Sequence, residues 1–147
     1  MGFSGTGTLT LQNAGTATVG GSVTIARNAG STGTLNIGAA SGQAAAAPGT
    51  LNTGSVAFGA GTGLIVFNHT SSNYVFAPTI SGAGTGTVEV DAGTTILTAN
   101  NTYAGATNIN GGALIVNGSI ASSALTTVNG GLLGGSALCS NPNGTDY

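Results

Sequence analysis

Apolar residues in this chain recur as short alternating triplets rather than long runs. They are Leu9-Thr10-Leu11, Val23-Thr24-Ile25, Leu35-Asn36-Ile37, Val56-Ala57-Phe58, Leu64-Ile65-Val66, Val88-Glu89-Val90 and Leu114-Ile115-Val116. Six of the seven follow a glycine placed two residues before the first apolar position: Gly7, Gly21, Gly33, Gly54, Gly86 and Gly112. The unit is glycine, small residue, apolar, any, apolar. Side chains alternate faces along a strand, so the two apolar residues face one way and the middle residue the other. Thr10, Thr24, Asn36 and Glu89 fill middle slots, and an outward direction is expected for them. Glycine tolerates positive φ, so each unit reads as a turn followed by a short strand. Four Asn-Gly pairs, at 110–111, 117–118, 129–130 and 143–144, add turn signals. A helix interior would lose about 1 kcal/mol at each glycine. The run of four alanines at 44–47 is stopped by Pro48-Gly49 and reads as a loop.

The triplets begin at 9, 23, 35, 56, 64, 88 and 114, a repetition without a fixed period. An antiparallel hairpin array would turn every ~8–12 residues. A stacked coil absorbs unequal rungs, because insertions leave it as corner loops. The pattern therefore predicts an all-β parallel β-helix, a β-solenoid with irregular rungs. At roughly 20 residues per rung, about seven rungs fit. The interior is expected to be a thin column of Val, Ile and Leu with occasional Phe.

Composition sharpens this picture. Gly, Thr, Ala, Asn and Ser supply 100 of the 147 residues, and charged residues make up 3%. Those charges are Arg27, Glu89, Asp91 and Asp146. A soluble domain normally carries about 25%. Disorder is disfavoured, because disordered chains are charge-rich and poor in β-branched residues. Stacked like charges would repel from rung to rung, whereas threonines and asparagines in register can hydrogen-bond. The net charge is −2 and lysine is absent, which argues against nucleic acid. No apolar stretch approaches the length of a membrane helix. The N-terminus, MGFSGTGTLT, has neither the basic region nor the apolar core of a signal peptide. It enters the pattern in mid-stride, as a piece of a longer chain would. Cys139 is the single cysteine and has no internal disulfide partner.

Residues 81 to 118 read SGAGTGTVEVDAGTTILTANNTYAGATNINGGALIVNG. This resembles the autotransporter-associated β-strand repeat, also called the passenger-associated transport repeat. The match rests on Gly84, Gly86, Val88, Val90, Asn101, Thr102, Tyr103, Gly105, Thr107, Ile109, Gly112, Leu114, Val116, Asn117 and Gly118. The stretch NTYAGATNINGGALIVNG carries most of its specificity. The resemblance implies a passenger segment of a Gram-negative type V secreted protein: a right-handed coil on the cell surface, with a C-terminal β-barrel translocator as its partner. It implies a stalk or adhesin-shaft role, a contribution to passenger folding during secretion, and a host surface, abiotic surface or glycan as the adhesion target. It divides the chain into rungs with loop insertions at 1–80, the repeat at 81–118, a further partial rung at 119–135 and an atypical tail at 136–147. In that family another glycine–strand unit would follow Gly135, where this chain instead reads SALCSNPNGTDY.

Candidate chemistry is thin, and no catalytic residue, cofactor or metal site is assigned. His69, in FNHTSSNY, is the single histidine and reads as a surface-loop residue; zinc would need three or four ligands. Glu89 and Asp91 lie two apart on one strand face and read as solvated acids, with acid–base work or weak Ca²⁺ binding as the alternatives. Arg27 is distant in sequence from every acid, which weighs against a lyase or hydrolase. Tyr74, Phe76 and Tyr103 could stack on a sugar or fill rungs, with the second favoured for Tyr103 by the repeat resemblance. The pairs Thr6/Thr8, Thr16/Thr18, Thr32/Thr34 and Thr85/Thr87 offer a different reading, an ice- or glycan-binding module. Their uneven spacing gives no regular array in sequence.

Overall fold

A computed structural model describes residues 1–136. Cys139, Asp146, the 143–144 Asn-Gly pair and nearly all of the predicted tail lie outside the described residues. Within them the chain forms fifteen strands, all paired in parallel, and no α-helix. The largest sheet stacks β1 (Thr6–Leu11), β4 (Thr32–Gly38), β7 (Thr62–Asn68), β10 (Thr87–Ala92), β12 (Ala106–Ile109) and β14 (Leu125–Val128) in that order. A second face holds β3 (Ser22–Ile25), β6 (Ser55–Phe58) and β9 (Thr79–Ser81). A third holds β8 (Tyr74–Phe76), β11 (Thr94–Leu97), β13 (Ala113–Val116) and β15 (Leu132–Gly134). A short pair, β2 (Thr16–Thr18) and β5 (Thr50–Asn52), completes the early rungs. This is the expected β-solenoid. Its tallest sheet has six strands among the described residues, one fewer than the roughly seven rungs expected.

Parallel register turns the sequence triplets into columns. Leu9, Leu35, Ile65, Val88, Thr107 and Thr126 stack on one another, as do Leu11, Ile37, Phe67, Val90, Ile109 and Val128. On the second face Val23, Val56 and Ile80 stack, and on the third Phe76, Leu97 and Val116. Most of these are fully buried. Each such aliphatic side chain contributes about 1.5–3 kcal/mol of transfer free energy. The triplets belong to three different faces, and within a face the rungs still differ in length. Along the largest sheet the intervals are 26, 30 and 23 residues from Leu9 to Val88 and then settle at 19, from Val88 to Thr107 and from Thr107 to Thr126.

Three local readings need correction. First, the triplet at 64–66 is out of register. Ile65 and Phe67 occupy the core column, and Leu64 is only half-buried on the other face. With this shift, Gly63 takes the glycine position, so all seven units have a glycine two residues before the first core residue, although Leu64 fills the slot that is small in the other six. Second, that glycine is a turn in only half of the six units, where Gly21, Gly54 and Gly112 lie in bends ahead of β3, β6 and β13. Gly7, Gly33 and Gly63 sit inside β1, β4 and β7 with negative or extended φ, and they stack in register. A Cβ on Gly33 would lie 2.7 Å from Ile25 Cγ2, and one on Gly63 or Gly86 would run into the Phe58 ring. Gly33, Gly63 and Gly86 yield their inward volume to bulky side chains of the second face, and Gly7 yields it to the backbone of Met1 and Gly2. Of the six, only Gly112 has positive φ, at 64°. Third, Asn36 lies on the face opposite the core column but is buried, at 2% exposure, and its Nδ2 donates to Thr10 Oγ1 at 3.0 Å.

The Ala-rich segment is a loop, as expected. It is tied to the end of β7: Asn68 Nδ2 donates to Ala40 O at 2.8 Å and to Gln43 O at 2.9 Å. At the other end, Met1 and Gly2 accept the amides of Ala26 and Arg27, so the first residues line the edge of β3.

Candidate functional site

The densest network of buried polar contacts is built on residues 99–124, at the corner between β11 and β12. Asn101 is 3% exposed, and its two amide atoms serve a strand and the bend beside it. Its Oδ1 accepts the Ile80 amide at 2.8 Å, and its Nδ2 donates to Ala99 O at 3.0 Å. A side chain thus satisfies a backbone donor of β9 that would otherwise be buried unpaired. Thr102 is exposed, and its backbone amide donates to Ile80 O at 2.8 Å. Tyr103 points inward and is fully buried, edge-on to Phe58 with ring centroids 6.3 Å apart. Its hydroxyl lies 2.7 Å from Thr107 Oγ1, which lies 2.9 Å from Ser123 Oγ, which in turn donates to Gly105 O at 2.8 Å. Burial pushes the Tyr103 hydroxyl pKa up, opposed by the Thr107 and Ser123 hydrogen bonds.

The other repeat residues are framework. Ile109, Leu114 and Val116 are fully buried, as are Val88 and Val90. Gly105 faces the Gly86 carbonyl so closely that no Cβ fits, and Gly118 faces Ala99 in the same way. Gly112 combines its positive φ with close approach to Gly93. Asn117 is exposed, and its Oδ1 accepts the Ser136 amide at 3.5 Å.

A ladder missed in the sequence runs up the next corner. Asn129 Nδ2 donates to Asn110 Oδ1, and Asn110 Nδ2 donates to Asp91 Oδ1, each at 2.9 Å. The signal was present in the 19-residue spacing of these three side chains. Asp91 is also the extra residue of a bulge between Val90 and Ala92. Its hydrogen bond to Asn110 replaces the expected fully solvated Glu89–Asp91 pair.

His69 is not a surface-loop residue. It is fully buried, with Nε2 2.9 Å from Thr95 Oγ1 and its ring 5.0 Å from that of Tyr74. Phe76 and Tyr103 are core, and Tyr74 is half-buried, so the three aromatics form no sugar-stacking platform. Arg27 lies over the exposed Phe3 ring, 5.3 Å from its centroid. The Thr-x-Thr pairs behave differently from their sequence spacing: Thr6 stacks on Thr32 and Thr62, and Thr8 on Thr34, giving an exposed hydroxyl patch on the largest sheet. Thr16 and Thr18 pair with Thr50 and Asn52 in the separate β2–β5 sheet, and Thr87 stacks on Leu64.

Among the described residues no cluster of three or more His, Cys, Asp or Glu is placed to hold a metal, and no helix is long and apolar enough to cross a membrane.

Residues 88–116 match the family described as the passenger-associated-transport repeat. The chain is 44% identical over 113 residues to a protein of Escherichia coli (strain K12) named as the uncharacterized lipoprotein YdeK; the match covers 73% of this chain and 8% of that protein. It is 42% identical over 83 residues to the adhesin BmaC autotransporter of Brucella suis biovar 1 (strain 1330), covering 55% of this chain and 2% of that one. The chain therefore spans a small fraction of the length of these relatives. No solved structure matches it. The Asn-Thr-Tyr corner and its stacked strands thus lie within a stretch that matches the passenger-associated-transport repeat, in a β-solenoid similar in sequence to a segment of an autotransporter adhesin.

Proposed function

We propose that this segment is a length of shaft in a surface-exposed autotransporter passenger, and that its repeat aids passenger folding during secretion. The observation that carries the reading is the parallel column running from Val88 through Thr107 to Thr126, stacked in register across the matched repeat. A coil of this kind folds by adding one rung to the next, so folding can propagate along an emerging chain. The Tyr103–Thr107–Ser123 network spans the rungs at which such growth would be locked in. The parent's partner would be a C-terminal β-barrel translocator, and its location the bacterial surface. The role is structural rather than enzymatic, in keeping with an adhesin among the relatives.

The test is to fuse the chain in frame ahead of an autotransporter translocation barrel and follow surface exposure and protease resistance. The intact chain is expected to reach the surface and resist protease. Deletion of residues 88–116 should lower both, whereas deletion within the 39–47 loop should not. Equal export and resistance after both deletions would refute the folding role.

One observation supports a second reading. The stacked Thr6, Thr8, Thr32, Thr34 and Thr62 form a hydroxyl patch suited to ordered water or to a glycan. Thermal hysteresis and a glycan array test it; binding lost in Thr8→Val and Thr34→Val would move this reading ahead of the shaft.

A further inference from the structure

His69 occupies an unusual place. In the parallel stack it follows Asn68, which pairs with Gly38 on one side and Ala92 on the other. Its backbone amide donates to Ala92 O at 3.4 Å, and it bridges Ala46 of the loop. Glycine backbone closes in on both sides. A Cβ on Gly38 would lie 2.9 Å from His69 Cβ, and one on Gly93 would collide with Nδ1. The ring is fully buried, Nε2 meets Thr95 Oγ1 at 2.9 Å, and Nδ1 lies near the Ser71 backbone without a well-formed hydrogen bond.

Many of the contacts holding residues 39–49 to the coil flank this histidine, while the end of the loop is also tied to residues 11–14 by the Asn13 and Ala14 amides, which donate to Ala47 O and Pro48 O, and by the Gly49 amide, which donates to Leu11 O. Asn68 Nδ2 donates to Ala40 O and Gln43 O. The Thr70 amide donates to Ala46 O at 3.1 Å, and the Tyr74 hydroxyl donates to Gly49 O at 2.9 Å. We propose that His69 is a proton-operated latch: neutral, it seals the corner at residues 68–74 and holds the 39–49 loop against the coil; protonated, it opens the corner and frees the loop.

The chemistry is one-sided. An imidazolium needs partners for two N–H donors, and burial gives it one clear partner. Among the described residues no carboxylate compensates. The groups facing the ring are the Tyr74 ring, which is neutral near pH 7, and the Thr95 hydroxyl. Glu89 and Asp91 on β10 and the distant Arg27 do not figure among the groups acting on it. Desolvation holds its pKa below 6.5, offset in part by the Ser71 backbone. The open state, with an ordinary pKa, takes up a proton that the closed state refuses. Closure is therefore fully favoured above pH 6.5 and weakens as pH falls from there towards the depressed folded value. Within that window the opening equilibrium rises about tenfold per pH unit. This inference is independent of the shaft reading, because it concerns one corner of the coil whatever the coil carries.

The test is hydrogen exchange on the full, untagged 147-residue chain at pH 7.5 and 5.0, corrected for intrinsic rates. Amides of residues 39–49 and 69–74 should lose protection at pH 5.0, by up to about thirtyfold, while those of residues 88–116 hold. His69→Gln, which keeps a donor towards Thr95 but cannot be protonated, should abolish the response. No loss in the wild type, an equal loss throughout the chain, or an equal response in His69→Gln would overturn the latch. Should that variant fail to fold, NMR titration of the single histidine of the wild-type chain decides. A midpoint below 6.5 coinciding with the loss of protection supports the latch, and a midpoint at 6.5 or above, or one that does not coincide, overturns it.

Discussion

The Tyr103 hydroxyl lies 2.7 Å from Thr107 Oγ1, and both side chains are wholly buried. Four residues apart, they lie on either side of the bend that feeds β12. The tyrosine brings its ring to Phe58 and its hydroxyl to a threonine in the Leu9–Val88 column. Removing only the hydroxyl separates these roles. Tyr103→Phe should cost about 1 kcal/mol, the net worth of a buried hydrogen bond, because Thr107 keeps Ser123 as a partner. Tyr103→Ala should cost about 3–5 kcal/mol through the cavity it leaves. Urea midpoints check both, and equal losses would mean that the ring contributes nothing beyond its hydroxyl.

Gly105 makes a sharper test of rung spacing. A Cβ there would run into the Gly86 carbonyl, which is backbone and cannot swing aside. Gly105→Ala should therefore destabilise by about 1–3 kcal/mol or more. Gly20→Ala is the control, since a Cβ at Gly20 meets nothing within 4 Å and φ there is not positive. Indistinguishable thermal midpoints for the two variants would contradict the close approach of the two rungs.

The fold was legible because alternation is a local signal, and Val88, Val90, Leu114 and Val116 all face the core where their spacing put them. The register at 64–67 was not. Leu64, Ile65, Val66 and Phe67 are four apolar residues in a row, so alternation there cannot choose a face. Stacking on Leu35 and Ile37 chooses it, and that information lies thirty residues away. The glycines misled for a related reason. Gly33 and Gly63 look like turn residues along the chain, and only the side chains of another face reveal that volume demanded them. His69 reads as a loop residue because its sequence neighbours are Thr, Ser and Asn. Its burial comes from Gly38 and Gly93, which no local window contains. The Asn-Thr-Tyr corner was visible as a motif, but its partners Ile80 and Ser123 had to be brought to it by the coil.

Inward and outward positions on β13 can be separated by charge. Val116 is fully buried, whereas Ile115 is half-exposed on the opposite face. Val116→Asp places an unpaired carboxylate in the column between Leu97 and the next rung, and should unfold at least the neighbouring rungs. Ile115→Asp keeps its charge in water and should cost far less. β-sheet circular dichroism on heating checks the pair, and an unchanged midpoint for Val116→Asp would reverse the assignment of faces.

Alkaline stability should report on the loop through Tyr74. Burial raises its hydroxyl pKa from 10.0 to about 12, and that hydroxyl donates to Gly49 O at 2.9 Å. A phenolate could not donate this bond. The unfolded tyrosine ionises near 10, while the folded one keeps its proton until about 12. The folded state thus binds the proton more tightly, and its stability is intact below pH 10 and lost progressively as pH rises through about 12. Tyr103, also raised by burial, adds to the same trend. Urea midpoints measured from pH 9 to 11.5 should therefore fall in the wild type. Tyr74→Phe should start lower at pH 9, having lost the bond to Gly49, yet fall less steeply, because one of the two phenols raised by burial among the described residues no longer titrates. Tyr74→Phe combined with Tyr103→Phe should be flatter still. A slope in Tyr74→Phe equal to that of the wild type would show that the Tyr74 hydroxyl is not held against the 39–49 loop.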